Sequence, residues 1–155
     1  MAILEWSEFF SAEVAGFSAL TGLVFVALSI NLKTILDTAG TSGRAGEALI
    51  VLVEPVLLGL AGLIPHQSRT ALGVEWLLIG SIGWMATNAI LMRGLKALRE
   101  RGLHEITTRV IGTEGSTALV MIAGALLIAG SSSGSYWQAG GAFGCLIVGT
   151  TDAWV

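Results

Sequence analysis

The sequence is poor in charged residues and holds a single cysteine. Only 12% of its 155 residues are charged, whereas a soluble domain averages about a quarter, so a water-soluble surface is excluded. The lone Cys145 cannot form a disulfide within the chain. Lys and Arg together number eight and the net charge is −3, which argues against nucleic-acid binding.

The motifs of common enzymes are missing as well. The sequence has no glycine-rich phosphate-binding or dinucleotide-binding loop, no credible Ser-His-Asp arrangement, and no set of Cys, His and carboxylate residues at metal-ligand spacing. We therefore expect a protein that is not an enzyme and that holds no metal and no cofactor.

Hydrophobic residues, in contrast, make up 54% of the chain and gather in five long stretches. A helix needs about 20 apolar residues to cross the roughly 30 Å hydrocarbon core of a bilayer. The sequence therefore predicts an all-α fold, a single bundle of five transmembrane helices over residues 1–155. Their approximate bounds are 13–32, 48–64, 74–92, 110–130 and 139–155.

Basic residues predict the orientation of this bundle, because cytoplasmic loops are enriched in Lys and Arg. Two loops, between the first and second stretches and between the third and fourth, carry most of them, so we expect the N-terminus outside and the C-terminus in the cytoplasm. The first of these loops is expected to be a flexible turn. The third stretch is expected to continue to a C-cap at Gly102 or to be followed by an amphipathic surface helix. The basic residues of the two loops are Lys33, Arg44, Arg93, Lys96, Arg99, Arg101 and Arg109.

An acid inside a bilayer is costly, which makes Glu54 the clearest functional candidate. It lies within the second stretch, directly before Pro55, and a proline there frees the carbonyl of Val51 and kinks the helix. An acid beside a freed carbonyl suits the binding of a proton or a cation. The alternative is a Glu54 that is protonated or paired and only holds helices together.

Further polar residues are expected near the cytoplasmic ends of the other stretches. Together with Glu54 they predict one intramembrane polar cluster, which is either hydrogen-bonded glue between helices or a half-channel open to the cytoplasm. The outer half is expected to be too apolar for one subunit to conduct ions. The members of this predicted cluster are Glu54, Asn31, Asn88, Glu114 and Asp152.

Three residues are expected at the outer surface. Glu13 is expected to be solvated there or to pair with Arg69. His66, which follows Pro65, is a candidate haem or pigment ligand. A second histidine, His104, falls on the opposite side of the membrane, so the two cannot ligate one haem at the same depth.

Small residues at helical spacing allow helix backbones to approach closely in lipid. Gly140 and Gly144 form a GxxxG motif in the fifth stretch, and Gly59 and Gly62 thin the second. These faces indicate tight packing, either within the chain or against a partner in the membrane. The first and fourth stretches carry similar faces at Ala15, Ala19 and Gly22, and at Ala118, Ala125 and Ala129.

Three parts of the sequence are characteristic: the run 12–32, which ends in ALTGLVFVALSINL, the segment 44–49 and the closing residues 152–155. Together they resemble a family of small uncharacterised multi-pass bacterial membrane proteins, frequent in actinobacteria, of which some are labelled modulators of a membrane-bound protease. The resemblance implies a place in the bacterial plasma membrane and a chain that continues past Val155 to a basic end. It carries over no catalytic residue.

These observations favour a non-enzymatic accessory or scaffold subunit that lies among membrane lipids and binds other membrane subunits or copies of itself. Two alternatives stay open. One is a proton- or cation-handling channel or transporter component that uses Glu54, and the other is a protein that binds haem or a pigment through His66.

Overall fold

The computed structural model describes residues 6–38, 40–101 and 103–155, apart from the side chains of residues 95–109. Every regular element in these ranges is a helix, so the predicted all-α fold is confirmed. The helices are α1 (Ser7–Ile30), α2 (Leu32–Asp37), α3 (Thr41–Gly62), α4 (Arg69–Arg101), α5 (Leu103–Ile128) and α6 (Gly134–Trp154).

Four of the described helices are long and apolar enough to cross a membrane, as expected for a membrane protein. They are α1, α3, the part Arg69–Gly94 of α4 and the part Val110–Ile128 of α5. The remaining long helix, α6, has 21 residues, but glycines, Gln138 and Asp152 interrupt its apolar sequence.

Most of these helices begin earlier than the apolar stretches predict. The starts at Ser7, Thr41, Arg69 and Gly134 precede the predicted starts by five to seven residues. A helix that enters lipid has to keep its backbone hydrogen bonds paired through the interface, so it takes in polar residues before the apolar run begins.

The expected flexible turn at 33–47 is corrected by the structure. Most of it is helical, divided between α2 and the first turns of α3, and the two are separated near Gly40, which has a left-handed φ of 79°. The third stretch does continue as a helix, since α4 runs on to Arg101. The C-cap expected at Gly102 lies outside the described residues.

The helix contacts define a ring with one peripheral member. Helix α3 packs against α1, α4 and α6, while α5 packs against α4 and α6. The helices α3, α4, α5 and α6 therefore form a closed group of four, and α1 lies on the outer side of α3. Short connections make helices that follow each other in the chain antiparallel neighbours.

Aromatic side chains fill the end of the bundle at which α1 begins. Phe10 of α1 and Trp76 of α4 are fully buried, with ring centroids 5.9 Å apart. The Trp76 indole donates a hydrogen bond of 3.1 Å to the carbonyl of Leu58 in α3. Trp6 adds an edge contact to Tyr136 of α6 at 4.8 Å. This aromatic group ties α1, α3, α4 and α6 together at one end.

Glycines set the closest helix approaches. A Cβ atom added to Gly73 of α4 would lie 2.7 Å from the carbonyl oxygen of Gly124 in α5, and the reverse distance is also 2.7 Å. A Cβ on Gly62 of α3 would lie 2.6 Å from the ring of Phe10. Two backbones that meet directly cannot accept a side chain without moving apart.

Of the other glycines predicted to pack helices, Gly59 lies against α1, where a Cβ would be 2.8 Å from the Val14 side chain. Gly144 lies against Ser116 of α5. Gly140 is different, since a Cβ there would make an ordinary contact of 3.8 Å with Leu119. Only the first two sites therefore require the absence of a side chain.

We expect Gly124→Ala to lower the free energy of unfolding by about 1–3 kcal/mol, because the new methyl group overpacks the crossing of α4 and α5. Gly115→Ala is the matched control on the same helix, since no atom of the described residues lies within 4 Å of an added Cβ, apart from its chain neighbours and the nearby backbone of α5 itself. The control should be neutral or more stable by up to about 1 kcal/mol. Reversible unfolding in mixed micelles measures both variants, and equal stabilities would contradict the assigned crossing.

Candidate functional site

Acidic side chains inside the bundle are its most unusual feature. Glu47 and Glu54 lie seven residues apart on α3, hence on one face and about 10.5 Å apart along the helix axis. Both are buried. A third buried acid, Glu13 of α1, lies against Gly59 of α3, about 7.5 Å further along that axis. These acids are therefore spread over roughly 18 Å of a hydrocarbon core of about 30 Å.

Glu13 joins the first and last long helices. It is 6% exposed, and its Oε1 accepts a hydrogen bond of 2.6 Å from Nε2 of Gln138, which is 0% exposed. Gly59 leaves room for the carboxyl group, whose Oε2 would lie 3.4 Å from a Cβ at that position. The pair couples α1 to α6 although the two helices have few other contacts.

The structure corrects the expected surface position of Glu13. The carboxyl group is inside the bundle rather than solvated at the outer surface, and its hydrogen-bond partner is Gln138 rather than Arg69, which is exposed. The physical reason is that α1 begins at Ser7, so Glu13 lies almost two turns inside the helix.

Among the described residues, Glu13, Glu47 and Asp152 each accept a hydrogen bond from another helix, whereas none reaches the buried Glu54. It is 4% exposed, and its Oε1 has no hydrogen-bond partner in the described part of the chain. Its carboxyl group lies against two glycines of α4, since a Cβ on Gly83 would be 3.1 Å from Oε2 and one on Gly80 would be 3.8 Å from Oε1. The neighbouring Pro55 is buried within α3, which continues through it to Gly62. Glu54 is therefore held in a notch that α4 leaves open.

The end of the bundle at which α3 begins and α6 ends holds two further polar contacts. Thr113 of α5 donates a hydrogen bond of 2.7 Å to Glu47, and both side chains are buried. Arg44, in the first turn of α3, forms an ion pair of 3.0 Å with Asp152 near the end of α6. These contacts join α3 to α5 and to α6.

Glu114 links α5 to α4. Its Oε1 accepts a hydrogen bond of 2.8 Å from the amide of Asn88, and its Oε2 accepts one from the indole of Trp84. Two donors for one carboxyl group are what an acid in a membrane bundle needs, because lipid supplies none.

The residues predicted to form one polar cluster lie in three places. Asn88 and Glu114 bond to each other between α4 and α5. Asn31 is exposed and lines a cavity of about 380 Å³ at the end of the bundle where α3 begins, together with Arg44 and Asp152. Glu54 lies alone in its notch between α3 and α4. The interpretation of these residues as polar contacts that hold helices together fits the first two of these three locations.

His66 lies at the turn that follows α3. It is exposed and has a left-handed backbone with φ of 58°. Within the described ranges, no group of three or more His, Cys, Asp or Glu residues is placed to hold a metal ion. His66 therefore belongs to no such group among the described residues.

Three functional residues were not predicted from the sequence: Glu47, Thr113 and Gln138. Glu47 and Gln138 each directly precede a predicted stretch, at 48 and at 139, so the boundary of the apolar run assigned them to loops. The available signal was that each residue directly borders an apolar run, so a helix that begins one turn earlier includes it.

We expect the Glu13–Gln138 pair to show coupling in a double-mutant cycle. Glu13→Leu and Gln138→Leu should each destabilise the bundle, because each leaves a buried polar partner unpaired. The double variant should recover about 0.6–2 kcal/mol relative to the sum. As a control, Gln138→Leu combined with Glu114→Leu should be additive, since these residues share no contact. Additivity in the first cycle as well would contradict the pairing.

Comparison with known proteins assigns no function to the buried acids. The chain matches no model of a protein family, no curated protein and no solved structure at a significant level. The burial, spacing and pairing of the acids, together with the faces that the bundle leaves free, are therefore the observations that bear on function.

Proposed function

We propose that this chain is a multi-pass protein of the bacterial plasma membrane in which α6 is a fifth span. Its low mean hydropathy comes from residues that face inward, since Gln138 and Asp152 are buried. Its outward positions are apolar, as Phe143, Leu146 and Ile147 show. With 21 residues it is about 31 Å long, enough to cross the hydrocarbon core. The distribution of basic residues supports an outside N-terminus.

This topology predicts a difference in labelling between two cysteines introduced one at a time. In intact cells, a membrane-impermeant maleimide should label Ser132→Cys, between α5 and α6, and should not label Val155→Cys until the membrane is opened. Cys145 is buried, so the unchanged chain is the background control. Labelling of both sites from the same side would rule out α6 as a span.

The function supported best is that of a non-enzymatic accessory or scaffold subunit that assembles with other membrane proteins or with copies of itself through α1. Among the 24 residues of α1 only four are buried: Phe10, Glu13, Phe17 and Val24. At 3.6 residues per turn these four lie on one side of the helix. Helix α1 therefore touches the ring along one narrow face and offers the rest of its surface to the membrane.

The observation that carries this proposal is the small-residue face of α1. Ala15, Ala19 and Gly22 lie on the side opposite the four buried residues, and all three are exposed. A Cβ added at Gly22 would have no atom of the described residues within 4 Å. Small side chains serve close approach between helices, and no helix of the described chain uses this face. A second exposed group of the same kind consists of Ala118 and Ala125 on α5 and of Ala129 directly after it.

A bulky side chain on this face should break the assembly. We expect the unchanged protein to be recovered from mild detergent with at least one further subunit or copy, and Ala19→Phe to weaken that association at least tenfold. The control is Ala89→Phe, the same change at an exposed alanine of α4 between the exposed Met85 and Met92. Native mass spectrometry counts the subunits.

Two results would count against assembly through α1. One is a lone monomer for the unchanged protein in native membranes extracted under the mildest conditions. The other is an equal loss of association in Ala19→Phe and in Ala89→Phe, since this would point to a general effect of a bulky residue.

A second candidate function is the handling of protons or small cations by the acids along α3. It is favoured by the alignment of Glu47, Glu54 and Glu13 across the bundle. The pair of Glu13 with Gln138 adds polar groups to the outer half, which the sequence had indicated to be too apolar for conduction. Acids inside a membrane commonly mark ion or proton pathways, and these three are spaced by about 7.5–10.5 Å along the α3 axis.

A further inference from the structure

An apolar groove runs along the outside of the bundle between α3 and α4. Its volume is about 340 Å³. The lining residues come from 49–57 of α3 and 79–86 of α4, which are the middle parts of two apolar spans. A groove at this depth opens to the acyl chains rather than to water. The walls are Leu49, Ile50, Val53, Leu57, Ile79, Ile82 and Ala86.

Among the described residues that line this groove, Glu54 is the one ionisable residue. The carboxyl of Glu54 lines the groove beside Gly83. It is 4% exposed, and its Oε1 lacks a hydrogen-bond partner among the described residues. Gly83 and Gly80 make the space for it on α4, because a side chain at 83 would begin 3.1 Å from Oε2. The site is therefore an apolar cleft with one unused acceptor at its base.

We propose that this groove binds a lipophilic organic cation, with its apolar body between α3 and α4 and its positive charge against the Glu54 carboxylate. An acid in hydrocarbon is costly unless a positive charge or a hydrogen-bond donor reaches it. An acyl chain in the groove would pack against its apolar walls but would leave the Glu54 carboxyl group without a partner. A small inorganic cation would pair with the carboxyl group but would make no contact with the apolar walls. A cation with an apolar body makes both interactions.

The location of the site supports the same class of ligand. A molecule can reach the middle of the span only through the lipid, so it has to be soluble there. Binding pockets for small molecules are largely apolar, with a few placed polar groups that fix the orientation. Here the placed group is one carboxyl group, which selects for positive charge. The inference is independent of assembly through α1, because the two faces involve different helices.

The experiment measures binding of tetraphenylphosphonium to the purified full chain in lipid nanodiscs. We expect saturable binding to the unchanged protein and a rise in its unfolding temperature. Glu54→Gln, which keeps the shape of the side chain, should weaken binding at least tenfold. Val53→Trp, which places a bulky ring in the groove and keeps the carboxyl group of Glu54, should weaken it as well. Leu60→Trp is the matched control, since Leu60 is exposed on α3 outside the groove, and it should bind as the unchanged protein does.

Each other outcome overturns the proposal. Absence of saturable binding to the folded, unchanged protein means that the acid only holds a proton or contacts a partner helix. Equal binding by Glu54→Gln means that the negative charge of Glu54 does not contribute to binding of the cation. An equal loss of binding in Val53→Trp and Leu60→Trp means that tetraphenylphosphonium binds elsewhere on α3. Assembly through α1 is scored separately with Ala19→Phe, so failure of one proposal leaves the other standing.

Discussion

Lipid offers no hydrogen bonds, and this constraint organises the bundle. A polar side chain within a span is stabilised by a partner inside the protein, and the acids of the described chain other than Glu54 that are discussed above have one on another helix. Glu13 joins α1 to α6, Glu47 joins α3 to α5, and Glu114 joins α4 to α5. Asp152 joins α6 to α3 through Arg44. The hydrophobic effect does not hold helices together in lipid, so such bonds and close packing take its place.

The same constraint explains what could be predicted from the sequence. Long apolar runs that cross lipid have to be helices, so the all-α fold and the approximate place of each long helix followed from the positions of these runs in the sequence. The helix ends did not, because polar residues continue a helix beyond its apolar run when partners exist on neighbouring helices. Glu47 and Gln138 were therefore assigned to loops, and Glu13 to the surface. Their partners depend on how each helix is rotated, which a single sequence does not specify.

Glycine distribution shows the same limit. A small-residue motif indicates that two helices can approach closely, without indicating which helices they are. The GxxxG at Gly140 and Gly144 proved to need a glycine only at Gly144, while the direct backbone contact at Gly73 and Gly124 lies outside any motif recognised beforehand. By contrast, the small-residue faces of α1 and of α5 contact no other helix in the described chain. The same pattern of small residues therefore occurs both at helix contacts inside the bundle and on its outer surface.

The contact between Glu13 and Gln138 spans 125 positions of the chain. A ribosome makes α1 well before α6, so Glu13 is synthesised long before its amide partner exists. During this interval α1 can pack against α3, with which it shares most of its contacts, but the Glu13 carboxyl group lacks the hydrogen bond from Gln138. Completion of this contact therefore waits for α6, and a chain that stops before α6 would keep Glu13 against Gly59 of α3 without its hydrogen-bond donor, which is costly in lipid.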